Sequence, residues 1–157
     1  MSGKILYIIN YLKRYGYELL YMDSDMETDI AVHIQDNKVI NIATEKQLHS
    51  QVVTWLRRFH PELVIVPGLG ELQKTDDQRM EAWAKGYTKG QADLLILQSN
   101  DKFSGMCFEF KSPLGSGTLS DSQEQFLFKM KKSGYFVMVS NDYDEIIDTI
   151  VGHLANR

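Results

Sequence analysis

The chain has 157 residues, enough for one domain with a real core and no staples. Its 43% hydrophobic and 24% charged residues exclude a disordered chain, and no run of about 18 apolar residues offers a transmembrane helix. A net charge of −4 with a single cysteine excludes a strongly basic nucleic-acid coat, an internal disulfide and a cysteine-built zinc site.

Charge is unevenly placed. Residues 46–140 carry 12 basic and 10 acidic side chains, against 4 and 7 in residues 1–45 and 1 and 4 in residues 141–157. Any grip on a phosphate backbone has to come from that middle, and it is modest enough that a metal would help. The N-terminal apolar run Ile5 to Leu12 is broken by Asn10, and no small-residue cleavage site follows, so no signal peptide is expected. The lone cysteine favours a reducing, intracellular compartment.

In chain order, Ile5, Ile8, Ile9 and Leu12 have helical spacing, with Gly16 as the stop. Residues 23–29 are an acidic loop, and Asp36-Asn37 sits between two strand-like runs as a hairpin signal. Thr44 and Gln47 have capping-box spacing. They open a helix whose Leu48, Val52, Trp55, Leu56 and Phe59 form one stripe, ended by His60-Pro61. Leu63 to Val66 reads as a short buried strand, followed by the loop PGLGELQK. Thr75 and Gln78 repeat the capping-box spacing and open a second helix, through Met80 and Trp83 to a stop at Gly86.

Asp93 to Leu97 reads as a buried strand, Gln98 to Gly105 as a turn, and Met106 to Lys111 as an alternating strand. The loop PLGSGT leads to a helix from Ser120 to Lys132. A strand from Tyr135 to Ser140 and a helix opening at Asp142 complete the chain. This order predicts an α/β fold with a mixed central sheet and helices on both faces.

Five positions stand out on this frame. Glu109 and Lys111 are two apart on a strand and share a face, while Met106, Phe108 and Phe110 take the other. Such a pair is costly inside a sheet unless paired or metal-bound, yet it also suits a solvated edge strand. Asp93 opens the preceding strand, and a short turn makes the two strands antiparallel neighbours. Asp93, Glu109 and Lys111 then meet at one sheet end, although an acid capping a strand is also ordinary. Glu45 lies three residues before Leu48 and hence on the apolar stripe. The helix dipole alone would also place an acid there. Gln123 follows Ser120 by three residues, so it either completes a capping box or serves the site, doing both only if its side chain leaves the cap.

The other candidates are weaker. His33, His49, His60 and His153 have no ligand-like spacing, with His49 expected at the surface. PLGSGT is not a Walker loop and PGLGELQK not a dinucleotide fingerprint. Cys107 shares the Glu109 face and reads as a small buried hydrophobe.

Asp93, fifteen residues, then Glu109-Phe110-Lys111 is the signature of the PD-(D/E)xK nucleases. With Glu45 upstream, GYTKGQADLLIL and FEFKSPLGSGTLSDSQEQFLFKMKKSGYFVMVS, residues 44–152 resemble the virus-type replication-repair nuclease (VRR-NUC) family. Ala92 stands where that family usually has proline, and PGLGELQK replaces an asparagine-containing loop.

The resemblance implies a restriction-endonuclease-like core over residues 44–157, with residues 1–43 as an extension suited to dimerisation. It implies a soluble, viral-type DNA endonuclease using Mg²⁺ or Mn²⁺. Asp93, Glu109, the Phe110 carbonyl and Glu45 would hold the cation, Glu45 directly or through water. Lys111 would orient water or stabilise the phosphate, and Gln123 would position Lys111 or the phosphate. Phosphate contacts are expected from Arg57, Arg58, Lys74, Lys85, Lys89 and Lys129. A homodimer acting on branched DNA such as Holliday junctions is the expected form. A monomeric flap or nicking nuclease, or a non-catalytic binding subunit, are the alternatives.

Overall fold

The structure, a computed structural model, describes residues 42–115 and 117–156. The chain divides into two units, Met1–Ile42 and Ala43–Arg157, and the second is the one described below. The expected N-terminal helix and hairpin lie outside the described residues.

Helix α1 (Glu45–Phe59) opens on the expected capping box: Thr44 Oγ1 accepts from the Gln47 amide at 3.2 Å, and Gln47 Oε1 accepts from the Thr44 amide at 3.1 Å. Strand β1 (Ile65–Pro67) follows, then a 3-10 turn (Gly70–Leu72) inside the expected loop. Helix α2 (Asp76–Ala84) has the second capping box, on Thr75 and Gln78. Strands β2 (Leu94–Ile96) and β3 (Met106–Phe110) precede helix α3 (Asp121–Lys132), strand β4 (Phe136–Ser140) and helix α4 (Tyr143–Leu154).

The sheet is mixed, as the alternation predicts, with spatial order β1-β2-β3-β4. The first three strands are antiparallel neighbours, and β4 runs parallel to β3 after the α3 crossover. Central β3 is buried along its whole length. Its Cys107 side packs with Ala92 and Leu127 in a cluster that Phe126, Met130 and Val137 extend. Phe110, on the other side, meets His49 of α1 with ring centroids 5.1 Å apart. Helices therefore cover both faces. Leu48, Val52, Leu56, Ile146, Ile147 and Ile150 of α1 and α4 are buried.

One expectation changes. Leu63 to Val66 is not a buried strand; Val64 is 59% exposed and β1 is the half-buried edge of the sheet, where Pro67 needs no ladder partner. Helix α2 runs through Met80 and Trp83 as expected, and it buries none of its residues, so both side chains are exposed. Among the described residues no helix is long and apolar enough to cross a membrane.

Candidate active site

The site is built where β2 starts and β3 ends. Leu94 pairs with Phe108, so one further step of antiparallel register sets Asp93 opposite Glu109 on the same face. The Phe110 amide, beyond the end of the β2–β3 ladder, donates to Asp93 Oδ2 at 2.8 Å. The Asp93 carbonyl accepts from the Gly68 amide at 2.8 Å, tying the loop after β1 to the same point. A Cβ at Gly68 would sit 2.2 Å from the Ala92 carbonyl oxygen, so only glycine permits this approach.

Glu109 is buried, with 1% of its surface exposed. Its Oε1 accepts from Lys111 Nζ at 2.9 Å and from Gln123 Nε2, the latter in a short contact. Its Oε2 is buried and has no hydrogen-bond partner among the described residues. Burial pushes the Glu109 carboxyl above the usual carboxylate range; Lys111 pulls it back, while the Asp93 and Glu45 charges push it further up. Lys111 reaches Glu109 under the loop after β3, with its side chain only 13% exposed. Gly117 makes room, since a Cβ there would meet the Lys111 stem at 2.9 Å.

Gln123 serves the cap and the site at once. Its Oε1 accepts from the Ser120 amide at 3.0 Å, completing the α3 capping box. Its Nε2 meanwhile donates to Glu109. The expectation that it must leave the cap to reach the site is therefore wrong, because a carboxamide has two chemically distinct ends. Gly90, with φ of +80°, lets the loop before Asp93 press on this turn; a Cβ there would lie 2.3 Å from the Ser122 carbonyl oxygen.

Beside the acids opens a cleft of about 870 Å³, lined in part by Glu45, His49, Tyr87, Asp93 and Gln123. Glu45 does not lie buried on the α1 stripe as expected. It is exposed in the first turn, which overhangs the cleft, and it acts on Glu109 through its charge. Among the described residues no three His, Cys, Asp or Glu side chains converge closely enough to hold a metal ion, so the expected three-acid cluster is instead a close pair with Glu45 on the cleft wall.

A solved structure described as a VRR_NUC domain protein shares this architecture, with a TM-score of 0.58 and 20% identity over 73% of this chain and 90% of that one. The chain has the VRR_NUC fold. No protein-family model and no curated protein match it.

Within the VRR_NUC fold, the expected phosphate-binding cations are scattered. Lys89 lines the cleft. Arg57 and Arg58 are exposed in the last turn of α1, Arg58 lying over the Phe59 ring. Lys85 pairs with Glu81 across one turn of α2. Lys74 is exposed ahead of α2, and Lys129 is exposed in the last turn of α3.

Four cleft residues went unnoticed in the sequence: Lys46, Arg79, Trp83 and Tyr87. Lys46 had a signal, since a cation in the first turn of a helix opposes the dipole. Trp83 had another, because a helix with two large apolar residues three apart has little to bury. Tyr87 had none; its hydroxyl fills the space that a Gly70 side chain would occupy, 2.3 Å from the Cβ position. Burial, then the Asp93 and Glu109 charges, raise its pKa, so Tyr87 faces the cleft as a protonated donor. His49 is half-buried against Phe110 rather than at the surface. Cys107 is buried as expected, its thiol pushed up to about 12 by burial and by Glu109 and Asp93.

Proposed function

We propose that this chain is a divalent-metal-dependent DNA endonuclease whose reaction centre is Asp93, Glu109 and Lys111. The observation that carries this reading is Glu109 Oε2, a buried carboxylate oxygen with no hydrogen-bond partner among the described residues, on an acid held opposite Asp93. Burying an ionised carboxylate oxygen unpaired is costly, and a hard cation relieves that cost. The donors present are oxygens, which suits Mg²⁺ or Mn²⁺ rather than a thiolate-seeking metal. Two carboxylates and a backbone carbonyl also suit a cation that keeps several waters.

Asp93, Glu109 and the Phe110 carbonyl would hold the cation, with Glu45 reaching it through water from the cleft wall. When bound, it would supply positive charge for the phosphoryl oxygens and bring the pKa of a water towards neutrality. The other work falls to this chain's own groups. Gln123 and Lys111 both hold Oε1 of Glu109, which fixes the carboxylate and leaves Oε2 facing elsewhere. Lys111 brings a positive ammonium to the same point, placed to orient the attacking water or to stabilise charge on the phosphate. The Phe110 amide fixes the Asp93 carboxylate by its Oδ2.

The finer reading is a homodimer acting on branched DNA, Holliday junctions among them. A two-fold dimer would carry two such sites, matching the two strands to be cut in a four-way junction. A monomer cutting flaps or nicks is the competing form.

The test is a panel of labelled linear and branched DNAs with Mg²⁺, Mn²⁺ or EDTA, alongside light scattering. Cleavage should require the metal and fall by orders of magnitude in Asp93→Asn and Glu109→Gln. Lys111→Ala should keep the thermal stabilisation by metal and lose cleavage. Cutting in EDTA, or wild-type rates in either acid variant, would remove the reading. A monomer cutting flaps in preference to junctions would select the competing form.

A further inference from the structure

Among the described helices, α2 alone buries none of its residues. Local bonds hold it in place. The Thr75–Gln78 box closes its start, and Arg79 bonds Asp76 and the carbonyls of Gln73 and Lys74, the last two at 3.2 and 3.3 Å. Lys85 pairs with Glu81 near its end. Met80 and Trp83, three residues apart, are 70% and 73% exposed. A well-capped helix that presents an indole to solvent is a platform rather than a core element.

Trp83 lines the same cleft as Asp93. So do Lys46 and Lys89, neither of which pairs its ammonium with any group among the described residues. The cleft, at about 870 Å³, is far larger than a hydrated cation needs and lies in the range of sites that enclose a nucleotide-sized ligand. An indole face accepts any base by stacking, whereas a base inside a continuous duplex already has both faces covered.

We propose that Trp83 is the stacking platform for an unpaired DNA base, with Lys46 and Lys89 on the flanking phosphates. The cleft then takes DNA with an unpaired or extruded nucleotide beside the reaction centre in preference to continuous duplex. The inference rests on the nuclease reading above and specifies the substrate of that site. It makes Trp83 a specificity-determining residue, outside the machinery of hydrolysis.

The test uses the full chain and two DNAs of equal length, a splayed-arm duplex and a fully paired one. Binding is followed by fluorescence anisotropy in Ca²⁺, and cleavage separately in Mn²⁺. Trp83→Ala should weaken binding of the splayed DNA about 5- to 150-fold, the range set by one lost stacking contact, and leave the paired duplex within twofold. Trp83→Phe should recover most of the loss. The other tryptophan, Trp55, is buried, so quenching of tryptophan emission by single-stranded DNA should vanish in Trp83→Phe. Equal weakening of both DNAs, or of neither, overturns the proposal. A lower melting temperature with unchanged binding also overturns it and assigns Trp83 to packing within the protein. Wild-type cleavage that does not distinguish the two DNAs overturns the platform and leaves the nuclease reading intact. Absence of cleavage with Trp83-dependent selectivity retained removes the nuclease reading and supports the platform.

Discussion

Glu109 concentrates the electrostatic tension of the site. Its burial, with the charges of Asp93 and Glu45, favours the protonated acid in the folded protein, and Lys111 offsets only part of this. The folded chain therefore keeps this proton over a pH range in which the unfolded chain has released it. The stability it contributes is fully present below about 4.5, the ordinary carboxyl value, and is lost as pH rises through the raised folded value. In EDTA, Glu109→Gln should accordingly melt higher than wild type at pH 8, with the gap closing towards pH 4. Thermal melts across that range check it, and a variant that melts lower at pH 8 would mean that the Lys111 pairing dominates. Added Mn²⁺ should reverse the order. Asp93, Glu109 and Lys111 were legible in the sequence because strand alternation and a short turn fix which side chains share a face. The exposure of Glu45 was not, because three-residue spacing from Leu48 defines a helix face but not how far the core extends beneath its first turn.

At the scale of elements, three helices among the described residues open on the same device, and only one of them is tied to the acids. Thr44–Gln47 and Thr75–Gln78 close their boxes locally, while Ser120–Gln123 also reaches Glu109. Removing the hydroxyl in Ser120→Ala should cost about 1 kcal/mol of stability, as other N-caps do, with cleavage largely retained. Gln123→Ala should show a similar stability loss together with a fall in turnover, since Glu109 then keeps only Lys111. Melting curves and single-turnover rates on the two variants separate the roles, and equal effects on turnover would mean that the cap alone matters. These helix starts were legible because the box is a local pattern with a fixed spacing. The β1 edge and the bare surface of α2 were not, because apolar residues in short segments do not reveal whether a neighbour arrives to cover them.

Across the whole molecule, the net charge of −4 makes the placement of cations decisive. Lys46 and Lys89 at the cleft should each reduce the salt dependence of DNA binding by about one phosphate contact when changed to alanine. Arg57 and Arg58 lie twelve and thirteen residues along α1 from Glu45, about 18–20 Å at the helical rise. DNA arms shorter than about six base pairs from the reaction centre should not feel their removal, and longer arms running beside α1 should. Salt titrations with a ladder of arm lengths measure this, and a loss that ignores length would place them on another path.

The single cysteine gives the same sheet a built-in clock. Cys107 lies on β3 two residues before Glu109, beneath the α3 side of the sheet, and its thiol is both covered and held protonated. A small alkylating reagent at pH 8 therefore reacts only in the fraction of molecules whose central strand has opened, and its rate counts those openings. An occupant bound at Glu109 and Asp93 slows the count in proportion to its affinity, whether or not any bond is cut. The chain thus reports occupancy of its own site through a residue that takes no part in the chemistry.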